Sequence, residues 1–315
     1  MSGTAPQPDL SRPAGAGKAP RQRPPLQGSL VLIALMLPAL LLLAAVYLWP
    51  LLQVSWLSGQ ASSVLTGLEA LPNGGANWRR LIGDARFWND ATFTLRFAAV
   101  SIALELLLGL AMALLLHRGG RWRGWLRAAV LLPWALPSTV LALGWRWIFN
   151  DPYGPLNALI QGLGGNAYGF LSTPATTWLF TVLADVWKTT PFVALLLLAG
   201  LQAIPPELEE ALVLEGAGPL QRLWRLTLPL LAPYLLLAAL FRLAQALGVF
   251  DLIQVLTGGG PASSTESLGL YAYLNGMRFL DFGYSATVML GMFVLVLLLT
   301  AAVLLLQRGW QGRRR

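Results

Sequence analysis

Six long apolar runs divide this sequence, and their length limits the folds open to it. They lie at residues 30–57, 89–116, 125–149, 176–203, 229–257 and 284–307. A helix needs about 20 predominantly apolar residues to cross a bilayer, and each run is long enough. Because the runs are continuous rather than alternating, helices and not barrel strands are the predicted spanning elements. The sequence therefore predicts an all-α, polytopic membrane protein with six transmembrane helices.

The two ends of the chain differ from this apolar body. Residues 1–28 are rich in Pro, Gly, Ala and Arg, a composition typical of disorder. The first apolar run is too long for the h-region of a signal peptide and lacks a convincing cleavage site, so it is predicted to remain as a helix. The expected organisation is a disordered cytoplasmic tail over 1–28, a six-helix domain over 29–308, and a basic cytoplasmic tail over 309–315.

Positive charge is concentrated on one side of the predicted helices. Fourteen of the 22 Lys and Arg residues precede the first helix, join helices two and three, lie in the segment 205–229, or follow the last helix. Positive charge marks the cytoplasmic side of a membrane protein, so both termini and the segment 205–229 are predicted to be cytoplasmic. The net charge of +8 is thus a topology signal. Basic residues divided among several loops do not predict a nucleic-acid partner.

The residue types that carry most catalytic chemistry are missing from the sequence. There is no Cys, and the single histidine, His117, is too few for a metal site. Neither lysine, Lys18 or Lys188, lies in a phosphate-binding G-x-x-x-x-G-K-[ST] loop, and hydrolase motifs are absent. The chain is therefore predicted to be no enzyme and to bind no cofactor itself. If ATP drives its function, the ATPase is another polypeptide.

A polar segment between the fourth and fifth runs is longer than a simple helix connection requires. It begins at Pro205 and contains four carboxylates, followed by the small residues Gly216, Ala217 and Gly218. One alternative is an amphipathic helix lying on the membrane without a partner. An acidic helix suits an anionic membrane surface poorly, so the charge favours a platform on which another protein docks.

Ionisable residues within the runs mark a second candidate site, since charged groups in a membrane usually face a bundle interior or a water-filled path. Helix four carries Asp185 and Lys188 on one face, and Pro191 is predicted to kink it. Helix five carries Arg242 and Gln245. These groups could bind a polyhydroxylated ligand, with Trp187 or Phe192 stacking on a sugar ring.

The same residues allow a structural alternative. Asp185 paired with Lys188 or with Arg242 could be a buried ion pair that holds helices together. The sequence leaves both interpretations open. Arg96 and Glu105 are predicted to be structural, because the sequence indicates no polar cluster around either of them.

Several motifs resemble those of one protein family. Glu210-Ala211 and Gly216 match the "EAA" loop of ABC-importer permeases at its spacing, and Leu226, Leu228 and Pro229 match its closing I-x-L-P. Residues 256–261, LTGGGP, resemble the L-T-x-G-G-P turn of sugar permeases. Leu212, Glu215 and Leu226 depart from the family residues conservatively. Over residues 30–307 the sequence thus resembles the membrane subunits of bacterial ABC importers, in the carbohydrate-uptake branch with maltose-type and glycerol-phosphate-type permeases.

The resemblance implies a type I importer permease fold with the EAA loop at 205–229. The residues expected to couple to the ATPase are Glu210, Ala211, Leu212, Glu215, Gly216, Ala217, Leu228 and Pro229. Those expected along the substrate path are Asp185, Lys188, Thr189, Phe192, Arg242, Gln245, Ala246 and Val249. The implied partners are a second homologous permease, two ATP-binding subunits that hold ATP and Mg²⁺, an extracytoplasmic sugar-binding protein and the lipid bilayer of the bacterial inner membrane.

Three alternatives compete with the sugar-importer interpretation. An importer permease for another small polar solute, such as glycerol phosphate, would share the EAA loop. An ion-coupled secondary transporter usually shows internal repeats, and no clear repeat is present here. A non-transporting scaffold would not need polar residues within helices four and five.

Overall fold

The computed structural model describes residues 26–118 and 123–312, with side chains described within 33–117 and 124–305. The chain divides after Leu52 into two compact units. Helix α1 (Leu26–Leu43) begins inside the predicted tail, and the rest of that tail lies outside the described residues. A π-helical turn (Ala44–Leu48) links α1 to α2 (Trp49–Ser58).

Short elements and long helices alternate in the remainder of the chain. Strands β1 (Gln60–Ala61) and β2 (Leu71–Pro72) pair antiparallel, and a 3₁₀ turn lies at Val64–Thr66. The helices are α3 (Ala76–Gly83), α4 (Ala85–Arg118), α5 (Arg123–Ala135), α6 (Ser138–Ile148), α7 (Pro155–Gly162), α8 (Pro174–Gln202), α9 (Pro206–Leu214), α10 (Pro219–Arg222), α11 (Leu228–Leu247), α12 (Asp251–Leu256), α13 (Leu268–Tyr273) and α14 (Phe282–Gly312). Two further π-helical turns lie at Leu223–Thr227 and Leu274–Arg278.

Five helical stretches of the described chain are long and apolar enough to cross a membrane. They are Ile33–Ser58, Ala85–His117, Pro174–Gln202, Pro219–Leu247 and Phe282–Leu305. The bent pair α5 and α6 makes a sixth span if it is counted as one. The predicted all-α membrane fold is therefore confirmed.

The third predicted helix, 125–149, is wrong as a continuous element. Helices α5 and α6 meet at an angle of 86° across Leu136 and Pro137. Pro137 lacks a backbone N–H and disfavours the α conformation at Leu136, which favours a helix end at this point. The fifth predicted helix also divides, because α11 ends at Leu247 and α12 is a separate short helix.

Helices α4, α8 and α11 pack against one another and form the centre of the larger unit. Two glycines permit the close approach. A Cβ at Gly109 of α4 would lie 2.7 Å from Cγ1 of Val193, and one at Gly200 of α8 would lie 2.6 Å from the ring of Tyr234. Small residues at such contacts are typical of helix packing in membranes.

A polar network fixes the end of the unit opposite to α9. Asp84 accepts hydrogen bonds from the hydroxyls of Tyr271, at 2.5 Å, and Tyr284. Burial acts to raise the pKa of Asp84, but these bonds and two from backbone N–H groups outweigh it and hold that pKa below its usual value. Burial, followed by the bond to Asp84, raises the pKa of Tyr271 to about 12. Arg86 binds Glu266 at 2.8 and 3.1 Å, which further ties α4 to the chain before α13.

Candidate docking platform and substrate path

Helices α9 and α10 form a helix-turn-helix between the α8 and α11 spans. Pro206 and Pro219 each occupy the first turn of their helix, where no backbone donor is lost. Gly216 closes α9 with φ +81°, a left-handed conformation that favours glycine. The N–H groups of Gly216 and Ala217 bind the carbonyls of Val213 (3.0 Å) and Leu212 (2.9 Å). Local turn chemistry thus specifies the shape of this segment.

An ion pair joins the two helices of the helix-turn-helix, and a cavity lies behind them. Arg222 donates to Glu209 at 2.9 Å and ties α10 to α9. A cavity of about 390 Å³ separates these helices from the ends of α4 and α8, and His117 and Gln202 contribute to its lining. No group of three or more His, Cys, Asp or Glu side chains in the described chain could hold a metal ion.

The outer surface of α9 and α10, with the turn that follows, is uncovered by the chain itself. Of the predicted coupling residues, Glu210, Ala211, Glu215, Gly216 and Pro229 are exposed, and Leu212, Ala217 and Leu228 are partly buried. Leu214, Leu220 and Trp224, which the sequence did not single out, are 88%, 68% and 65% exposed. We call this mixed acidic and apolar surface, residues 206–224, the docking platform. Exposed apolar groups rimmed by charge are typical of a protein interface.

The polar residues inside the spans meet in a cluster that joins three helices. Arg242 of α11 binds Glu105 of α4 through Nε and through Nη2, the latter at 2.8 Å. Its Nη2 also lies 2.8 Å from Oδ2 of Asp185 on α8. Oγ1 of Thr189 lies 2.6 Å from Oε1 of Glu105. All four residues are buried, with Glu105 fully so, and we call them the three-helix clasp.

The expectation that no polar cluster surrounds Glu105 is therefore wrong. Glu105 lies at the centre of the three-helix clasp and accepts two bonds from Arg242. Arg96 differs, since it is exposed and has no hydrogen-bond partner among the described residues. Of the two ion pairs considered, Asp185 pairs with Arg242 and not with Lys188.

Lys188 points instead to the bend between α5 and α6. Its ammonium donates to Oγ of Ser138, the first residue of α6, and its side chain is partly exposed. Helix α8 continues through Pro191 without a break. The hydroxyls of Thr189 and Thr190 bond the carbonyls four residues earlier, at 2.7 and 2.6 Å.

Aromatic and amide groups that are exposed or partly buried lie beside the three-helix clasp. The ring of Phe192 stacks on that of Trp134 at 5.5 Å and meets Phe241 edge-on at 6.1 Å. Trp187 is exposed and edge-on to a neighbouring tryptophan. Gln245 is exposed and accepts from Nη1 of Arg242 at 2.9 Å. The predicted path residues Ala246 and Val249, by contrast, are buried in the core.

The family of the chain follows from comparison with known proteins. The model of the family "Binding-protein-dependent transport system inner membrane component" matches residues 105–312. The chain belongs to this family of transport components, and the resemblance to ABC-importer permeases is confirmed. It is therefore an inner-membrane transport subunit rather than an enzyme.

Individual relatives extend along nearly the whole chain. The trehalose/maltose transport system permease protein MalF of Thermococcus litoralis is 41% identical over 271 residues, 86% of this chain and 91% of the relative. The sulfoquinovosyl glycerol transport system permease protein SmoG of Agrobacterium fabrum is 34% identical over 87% of this chain and 89% of the relative. The trehalose permease protein SugA of Mycobacterium tuberculosis is 34% identical, covering 81% of each.

The fold also matches a solved structure. A chain of a bacterial ABC transporter involved in alginate import superposes with a TM-score of 0.76 at 20% identity, covering 90% of this chain and 96% of that one. This agreement confirms the predicted type I importer permease fold.

Proposed function

We propose that this chain is the permease subunit of an ATP-driven, binding-protein-dependent sugar importer. One observation of the structure carries the proposal. The docking platform is uncovered and combines Glu210 with the exposed Leu214 and Trp224, which suits an ATPase subunit better than a lipid surface. Because the sequence has no phosphate-binding loop, the nucleotide must be bound elsewhere. The sugar permeases among the relatives support the substrate class.

The proposed assembly has three kinds of partner. A second permease completes the path, two ATP-binding subunits with ATP and Mg²⁺ contact the two docking platforms, and an extracytoplasmic protein delivers sugar. A related chain belongs to an alginate transporter solved with its periplasmic protein, which supports the last partner.

The substrate path is proposed to follow the exposed side of the three-helix clasp. Polar groups are costly against lipid, so Lys188 and Gln245 are expected to face water rather than hydrocarbon. Phe192 lies one helical turn from Lys188, and Phe241 lies one turn before Gln245, which adds an aromatic surface to the same faces. Asp185, Thr189, Arg242, Ala246 and Val249 lie behind this surface.

The transport test uses the complete complex in proteoliposomes with its binding protein. We expect uptake of trehalose or maltose that requires internal ATP and sugar-loaded binding protein. Collapsing the ion gradients should leave the rate unchanged. Uptake that persists without ATP but stops when the gradients collapse would favour the secondary-transporter alternative.

The proposed orientation places the docking platform and both termini in the cytoplasm. The sequence contains no cysteine, so single cysteines report accessibility directly. We expect Tyr153→Cys, at an 88% exposed position near the opposite end, to react with a membrane-impermeant maleimide in intact spheroplasts. Glu210→Cys should react only after the membrane is permeabilised. Labelling of Glu210→Cys from outside would reverse the topology and remove the ATPase from the docking platform.

A further inference from the structure

Most N–H donors of the Arg242 guanidinium are used inside the three-helix clasp. Its Nε and Nη2 groups bind Glu105, with the Nη2 to Oε1 distance at 2.8 Å, and Nη2 also binds Asp185. Only Nη1 points away from the two carboxylates, and it donates to Gln245 at 2.9 Å. Arg242 itself is 2% exposed. It is thus placed to act on a ligand through Gln245 rather than by direct contact.

This contact fixes the orientation of the Gln245 amide. Arginine has donors and no acceptor, so the amide oxygen must face the guanidinium and the NH₂ group must face away. The Gln245 side chain is exposed, and its Nε2 has no hydrogen-bond partner within the described part of the chain. Two donors are therefore presented on the exposed side of the clasp.

Lys188, three residues after Asp185 on α8, is a second source of donors. Its ammonium has three donors, and one of them is used by Ser138. Gln245 and Lys188 thus both supply donors, which suit the hydroxyl, ring and glycosidic oxygens of a sugar.

We propose that Glu105 is a positioning residue for sugar recognition. Fully buried and bound twice to Arg242, it holds the guanidinium in place, and the guanidinium in turn directs the Gln245 amide donors toward the sugar. This inference rests on the proposed function. The sequence gives no sign of the contact between Glu105 and Arg242, because the two residues are 137 positions apart.

The test measures equilibrium binding of radiolabelled trehalose and maltose to the purified complex without binding protein. Gln245→Ala is expected to raise the Kd about tenfold, the loss of a hydrogen bond or two. Glu105→Gln keeps the shape of the side chain and removes its charge, and a similar rise is expected. The double variant should be no weaker than either single one, because both changes break the same link.

Two further variants separate positioning from stability. Glu266→Gln also removes a buried carboxylate from a bidentate arginine pair, but at the other end of the unit, and it should leave the Kd within about twofold. Gln245→Glu retains an oxygen for Arg242 and removes the amide donors. It should weaken binding as much as Gln245→Ala. This variant therefore tests the proposal even where Glu105→Gln fails to assemble.

The outcomes distinguish the role of Glu105 from the proposed sugar-import function. Wild-type Kd values in Gln245→Ala and Gln245→Glu, or additive effects in the double variant, would overturn the role of Glu105 and leave the proposed function standing. A wild-type complex that binds and transports neither sugar would overturn the proposed function, and the inference with it.

Discussion

Replacing Gly216 with aspartate is expected to abolish ATP-driven uptake while the chain still folds in the membrane. The residue has φ +81°, and a Cβ built there meets nothing within 4 Å in the chain. The internal cost is backbone strain of roughly 1–2 kcal/mol. The larger effect is expected on docking of the ATPase subunit, since the new carboxylate projects from the docking platform beside Glu215. The measurement is sugar-stimulated ATP hydrolysis together with uptake in proteoliposomes.

Gly164→Asp is the matched control for this prediction. Gly164 has φ +84° and equally open surroundings, but it follows α7 and lies far along the chain from the docking platform. It bears the same strain and the same charge without touching the proposed ATPase surface. Uptake should therefore survive in Gly164→Asp. Equal loss in both variants would show that strain, not docking, is responsible, and normal uptake in Gly216→Asp would contradict the role of the turn.

Local chemistry made the docking platform predictable from sequence. Pro206, Gly216 and Pro219 each fix a backbone feature over a few residues, so the helix-turn-helix can be inferred without knowledge of the rest of the fold. The exposure of Leu214 and Trp224 could not be inferred, because apolar residues beside a membrane span are usually buried or in lipid. Only the packed structure reveals that the chain leaves them uncovered.

The helix break and the partners of Glu105 were not predicted from the sequence. Hydropathy predicts spans because a bilayer requires a given apolar length, yet the same measure is insensitive to a break such as that at Leu136 and Pro137. The prolines could have indicated it. Glu105 gave no local signal, since its partners Thr189 and Arg242 lie on other helices. Of the two ion pairs that the sequence left open for Asp185, the structure contains the one with Arg242 and not the one with Lys188.

Replacing Arg242 with alanine is expected to prevent assembly of the complex. The change leaves Glu105 and Asp185 buried without the cation that both of them bind. Removing one partner of a buried ion pair destabilises a protein by about 3–5 kcal/mol, which is a large share of the stability of a typical domain. The amount of complex recovered in detergent, and its thermal unfolding, measure the effect.

A triple replacement tests whether the uncompensated charge is the cause. Arg242→Met combined with Glu105→Leu and Asp185→Leu removes all three charges and keeps most of the buried volume, and such apolar replacements are often neutral. We expect this variant to assemble better than Arg242→Ala alone, although without sugar binding. Gln245→Ala, which alters only an exposed residue, should assemble normally. An Arg242→Ala complex that assembles fully would contradict this expectation, because a guanidinium that neutralises two buried carboxylates cannot be lost without cost to the fold.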